Sequence, residues 1–138
     1  MLTNPVDLID LEDMKKRTFL IAVMAGLLVG PALFADEIID ATEWTDEVKE
    51  IEVRSSGLDY SPREIRVNRG DTVRITYVNT RGVHDWVLDE FDAATSRISA
   101  GQSETVEFVA DRAGEFEFYC SVPGHRARGM YGRFIVVE

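Results

Sequence analysis

Cysteine is almost absent: the chain of 138 residues has one, Cys120. A lone thiol cannot close an internal disulfide. Histidine is nearly as scarce, with only His84 and His125, and beyond residue 24 the only methionine is Met130. Positive charge is in deficit, 15 Lys and Arg against 25 Asp and Glu, for a net charge of −10. That balance argues against nucleic-acid binding, which needs a basic footprint; it favours solubility and steers encounters. The sequence has no internal repeat, no low-complexity tract, and no convincing amphipathic helix beyond residue 47. Its length allows one domain.

The N-terminal region differs in texture from the rest. Residues 1–13 are acidic and unlike an export signal. From Met14 the chain runs through Lys15-Lys16-Arg17, an apolar or small stretch Thr18–Val29, a Gly30-Pro31 break, and Leu33-Phe34-Ala35 before Asp36-Glu37. Positive, apolar, then small is the order of a secretory signal peptide. We therefore expect translation to start at Met14, residues 1–13 to be an extension, and 14–35 to be a signal peptide cleaved after Ala35. The protein is then exported, to a periplasm or its equivalent. The alternative is an uncleaved anchor, although Thr18–Ala35 is barely long enough to span a bilayer and contains Pro31. No Cys stands near the junction, which excludes lipid attachment there. Residues 36–47 carry six acidic side chains without a clear period. They read as a solvated acidic linker or a short helix leading into the domain, with 48–138 as the folded domain.

From Val48 the pattern alternates. Ile51 and Val53, Ile65 and Val67, then Val73, Ile75 and Tyr77 fall at every second position. Val106 and Phe108, then Phe116, Phe118 and Cys120, and finally Phe134 and Val136 do the same. Short runs of period two, separated by turns such as Asn68-Arg69-Gly70-Asp71, predict an all-β sandwich or barrel. Asp92–Ala100 reads as a helical turn or a loop. Strand phase places the Cys120 sulfur inward with Phe116 and Phe118. It also turns His84 inward with Trp86 and Leu88, and leaves His125 as the residue nearest the surface.

The chemistry concentrates in one loop between two strands, where Cys120, His125 and Met130 are spaced as Cys-x4-His-x4-Met. Soft sulfur donors with imidazole suit copper better than calcium or magnesium, and a thiolate with two histidines and a weak axial Met is the blue-copper set. The fourth ligand can come only from His84, 36 residues before Cys120. Individually these residues have plainer readings: a buried thiol, a hydrogen-bonded core histidine, a gap-filling methionine.

Val48–Glu138 resembles the cupredoxins, the small blue copper proteins. The resemblance rests on Tyr60-Ser61-Pro62-x-x-Ile65-x-Val67-x-x-Gly70-Asp71-x-Val73, on Asn79 leading to His84, and on Ala100-Gly101-Gln102. It rests most specifically on Phe118-Tyr119-Cys120-x4-His125-x4-Met130-x-Gly132, a ligand loop similar to the auracyanin and rusticyanin type. It implies an all-β, Greek-key β-sandwich of seven or eight strands. It implies one type 1 copper ion with His84, Cys120 and His125 as strong equatorial ligands and Met130 as the weak axial one. The implied role is electron transfer, not enzymatic catalysis. The expected partners are redox proteins such as a cytochrome or a copper oxidase or reductase, and the carrier is expected to be a monomer, membrane-bound only if the N-terminal segment stays uncleaved. Many members carry Asn after the first ligand histidine, where it helps tie the two ligand loops together. Here that residue is Asp85, which either keeps the tie or is a surface strand residue.

Other classes fit less well. Copper delivery or storage uses exposed clusters of Met and His, which this chain lacks. A copper enzyme with a second site needs further histidines. Zinc takes Cys, His or carboxylate, whereas Met130 stands at ligand spacing. Beside the ligand loop, Val122, Pro123 and Ala127 suggest an apolar contact patch rimmed by Arg81, Arg126 and Arg128. These arginines are otherwise solvated, or paired with acids such as Asp85 and Asp89.

Overall fold

The computed structural model describes residues 37–138; the expected extension 1–13 and signal segment 14–35 lie outside the described residues. Within them the chain forms β1 (Ile38–Asp40), β2 (Val48–Ser56), β3 (Asp59–Ser61), β4 (Glu64–Asn68), β5 (Thr72–Asn79) and β6 (Val83–His84). It continues as β7 (Val87–Leu88), β8 (Ala93–Ala94), β9 (Ile98–Ser99), β10 (Ser103–Val109), β11 (Gly114–Tyr119) and β12 (Tyr131–Val137). The expected seven or eight strands thus appear as twelve segments, because the chain from Val83 to Ser99 breaks into four pieces of two residues and the three-residue β1 and β3 add two more. One sheet has the order β1-β4-β12-β11-β7-β8, a second β10-β5-β2-β3, and β6 pairs with β9 separately. The chain passes between the two larger sheets from β1 to β2, from β3 to β4, from β4 to β5 and from β10 to β11, while β2–β3, β7–β8 and β11–β12 pair within one sheet, giving a β-sandwich.

Alternation decides what fills the space between the sheets. In β2, Lys49, Ile51, Val53 and Ser55 are buried while the residues between them face out; in β5, Val73, Ile75, Tyr77 and Asn79 are buried. The apolar ones, Ile51, Val53, Val73, Ile75 and Tyr77, cluster with Ile65 and Val67 of β4, Phe118 of β11, Phe134 and Val136 of β12, and Trp86 and Leu88. Fully burying one such aliphatic or phenyl side chain stabilises by about 1.5–3 kcal/mol. The inward phase expected for His84, Trp86, Leu88, Phe118 and Cys120 is the phase observed.

Residues 37–47 are neither the solvated linker nor the short helix expected. Ile38–Asp40 lies parallel to β4, with Ile39 opposite Ile65, and Ala41 is buried in the core. The Ala41 N–H donates to the Arg66 carbonyl at 2.9 Å, and Asn68 Nδ2 to the Thr42 carbonyl at 2.7 Å. The acidic side chains hide this strand from a hydropathy reading, because an edge strand needs only one inward face. Asp92–Ala100 also resolves differently: the 3-10 turn falls earlier, at Asp89–Phe91, and β8 and β9 occupy the stretch expected to be turn or loop.

The core carries a polar thread. The Tyr77 hydroxyl pairs with Ser55 Oγ at 2.7 Å, and Ser55 Oγ donates to Asn79 Oδ1 at 3.0 Å. Burial pushes the Tyr77 phenol from the ordinary 10.0 up to about 12, against the opposing Ser55 bond. Burial, with Cys120 beside it, raises Tyr60 as well. A raised pKa means that the folded state holds the proton more tightly. This stability is complete below about pH 10 and is lost as pH rises toward about 12. Denaturation midpoints measured across that window should fall steeply, and Tyr77→Phe should flatten part of the slope.

Candidate metal centre

His84 closes β6 and is fixed by its pairing with Ile98 of β9. Cys120 directly follows β11, so the sheet that buries Phe118 also buries the thiol. The loop after it curls back on itself. His125 N–H donates to the Val122 carbonyl at 3.0 Å, Met130 N–H to the His125 carbonyl at 3.1 Å, and Cys120 N–H to the Met130 carbonyl at 3.1 Å. Three candidate ligands are therefore joined through their own backbones, and the Met130 side chain is buried at the loop's end.

The side-chain donors converge. His84 Nδ1 and His125 Nδ1 are 3.1 Å apart. Cys120 Sγ lies 3.8 Å from His84 Nδ1 and 3.5 Å from His125 Nδ1. These are the residues offering metal-ligand atoms within 4.8 Å of one another among the described residues. Around a first-row ion, nitrogen at about 2.0 Å and sulfur at about 2.3 Å in a trigonal plane stand about 3.5–3.8 Å apart. The two sulfur–nitrogen separations, 3.8 and 3.5 Å, match that range, and the nitrogen–nitrogen separation of 3.1 Å is shorter. No carboxylate joins the cluster, so the donor set is soft and suits copper rather than calcium or magnesium.

Electrostatics and packing support this arrangement. Burial and the neighbouring His125 lower the His84 pKa, opposed by a hydrogen bond to the Arg81 backbone, which favours the neutral ring that ligates metals. Burial pushes the Cys120 thiol up, while backbone hydrogen bonds from Asp85 and Val122 pull the other way by serving the sulfur. Such contacts around the ligands orient them and tune a bound metal. Gly82, with φ at +83°, lies under the His84 ring; a Cβ there would stand 2.8 Å from Nε2. Asn79 braces the same turn, with Nδ2 donating to the Gly82 carbonyl at 2.9 Å and the Ile98 carbonyl at 2.8 Å.

Asp85 proves to be a tie and not a surface strand residue. Its side chain is buried, Oδ1 accepts the Ser121 N–H at 2.7 Å, and Oδ2 accepts the Ser121 hydroxyl. The residue after His84 is thereby joined to the residue after Cys120. Sequence reasoning missed Gly82 and Arg97 in this surround. Gly82 stands two residues before His84, a local signal that was readable; Arg97 reaches the site only through strand pairing.

A family model described as copper binding proteins, plastocyanin/azurin family, matches residues 47–137. Plastocyanin of Nostoc punctiforme is 34% identical over 135 residues, covering 87% of this chain and 93% of that protein. The copper-resistant cuproprotein CopI of Rubrivivax gelatinosus is 31% identical over 104 residues, covering 61% of this chain; the match spans 63% of that relative's own length. Among solved structures, reduced auracyanin of Roseiflexus castenholzii superposes with a TM-score of 0.59 at 28% identity, covering 65% of this chain and 98% of that one.

Proposed function

The chain belongs to the plastocyanin/azurin family of copper-binding proteins, and we propose that it serves as an exported one-electron carrier, not an enzyme, with His84, Cys120, His125 and Met130 as its ligands. The observation that carries this reading is the convergence of two imidazole nitrogens and the chain's only thiol at the buried end of one sheet. Bound copper supplies a Cu(I)/Cu(II) couple. The protein's part is to hold the three strong donors in place, so that neither oxidation state demands rearrangement. Backbone ties through Met130 and the Asp85–Ser121 bridge provide that stiffness. Export rests on the order of charge and hydropathy in residues 14–35. A visible spectrum of the Cu(II)-loaded protein tests the assignment: an intense thiolate-to-copper band is expected, and a colourless copper complex would overturn it.

Electrons enter and leave at His125, the one of the three clustered residues that is not buried. Around it Pro123, Gly124 and Ala127 are exposed and Val122 is half-buried, an apolar surface suited to a redox protein partner. The arginines divide into two kinds. Arg126 is held by Glu117 at 2.6 Å and lies 4.2 Å over the Tyr119 ring. Arg81 and Arg128 are exposed. Rim charges act mainly on association rate and its salt dependence. Arg126→Glu/Arg128→Glu should slow stopped-flow electron exchange with an acidic carrier about three- to tenfold at low salt, the difference shrinking at high salt. An unchanged low-salt rate would show that the overall negative charge governs encounter.

The similarity to a copper-resistant cuproprotein favours a second reading, copper delivery or storage. The two separate in one assay. A carrier exchanges electrons faster than it releases Cu(I) to a competing chelator, whereas a delivery protein does the reverse.

A further inference from the structure

Arg97 lies in none of the motifs that mark the site, yet it reaches the bridge joining the ligand loops. Its place is dictated by register: β6 and β9 are antiparallel with His84 opposite Ile98, so continuing one step outward sets Asp85 beside Arg97. Arg97 Nη2 donates to the Ser121 carbonyl at 2.9 Å and contacts Ser121 Oγ at 3.2 Å. Its Nε lies 3.6 Å from Asp85 Oδ2. The two residues of the tie, Asp85 and Ser121, are thus both contacted by one half-exposed cation.

The chemistry asks for such a group. A carboxylate is buried one residue from His84, and its hydrogen-bond partner is one residue from Cys120. An unbalanced buried anion there costs desolvation and favours the more highly charged state of a neighbouring ion. Resting on the copper reading above, we propose that Arg97 is a positioning and charge-balancing residue of the metal centre. It lets an acid stand in the tie without driving the centre toward Cu(II). An ordinary exposed ion pair contributes at most about 1 kcal/mol to stability and leaves the couple untouched, so the two roles are separable.

The test compares the full chain with Arg97→Gln, Arg97→Lys, Asp85→Asn and the double variant Asp85→Asn/Arg97→Gln. Two readouts are taken: the Cu(II) to Cu(I) ratio in a fixed redox buffer, and exchange of the Ser121 amide in copper-free protein. Removing the cation leaves the anion unopposed, so Arg97→Gln should raise the ratio about three- to tenfold, or about 30–60 mV for a one-electron couple. Asp85→Asn should lower it, and the double variant should return it toward wild type. Arg97→Lys keeps the charge but not the fork, so it should restore the ratio while the Ser121 amide still exchanges faster than in wild type. A ratio in Arg97→Gln within about twofold of wild type, or no return in the double variant, overturns the role in charge balance. An unchanged Ser121 exchange rate in both Arg97 variants overturns the positioning role. If the copper-loaded wild type shows no thiolate band, the copper reading itself has failed. A band with an indifferent Arg97 defeats this inference alone.

Discussion

Replacing Cys120 by alanine is expected to abolish the intense visible absorption of the Cu(II)-loaded protein. The band requires a thiolate bound to copper, and the sequence holds no second cysteine to take over. Nor can the surroundings substitute another anion. The carboxylate that follows His84, Asp85, is committed to the Ser121 amide and hydroxyl, and no carboxylate oxygen lies in the donor cluster. The variant should therefore be colourless even where the two histidines retain some copper. Met130→Leu provides the contrast. An axial thioether is bound weakly and at long range, and leucine conserves volume at a fully buried position, so colour should persist while the reduction potential moves. Spectra and copper content measured on the same samples separate loss of metal from loss of the thiolate bond. A fully blue Cys120→Ala protein would falsify the ligand assignment.

The parts of this structure legible in the sequence are those set by local period and by scarcity. Alternation placed Phe118 and Cys120 on one face and His84, Trp86 and Leu88 on another, and both sets are buried. Scarcity then did what spacing alone could not: with two histidines, one cysteine and one late methionine, the candidates for the site were exhausted as soon as they were counted. What escaped depends on pairing between distant segments. β1 owes its existence to a parallel register with β4, which no pattern within residues 36–47 announces. Arg97 acquires its contacts from the β6–β9 pairing, and each of those strands is only two residues long. The residue type at Asp85 allowed both a tie and a surface position; the Ser121 amide that decides between them stands 36 residues away. Arg126 was expected at a docking rim, but Glu117 and the Tyr119 ring, both on β11, also claim it.

Gly132→Ala should be among the most damaging single substitutions in the domain, although it adds only one methyl group. Gly132 lies within β12 opposite Phe118 of β11. A Cβ at this position would stand 2.2 Å from Phe118 Cζ and 2.6 Å from the Arg63 carbonyl oxygen. Neither neighbour can withdraw cheaply. The Phe118 ring is wedged between Tyr60, at 5.5 Å between centroids, and Trp86, at 5.6 Å. The Arg63 carbonyl is main chain, accepting the Arg133 N–H at 2.8 Å. Replacing glycine by alanine normally relieves about 0.5–1 kcal/mol of conformational entropy in a strand. Forcing a methyl into a filled core costs about 1–3 kcal/mol and occasionally more, and contact with both a locked ring and a backbone oxygen puts this site at the upper end. A net loss of about 2–3 kcal/mol in a domain of this size lowers Tm by about 8–24 °C. Thermal and denaturant unfolding of the copper-free protein should show that loss with an unchanged m-value. Phe118 also stands two residues from Cys120 on the same face, so a displaced ring should shift the visible band of the copper-loaded variant. A Tm within about 2 °C of wild type would mean that β12 can slide away from both neighbours, and that the close approach at Gly132 does not constrain the ligand strand.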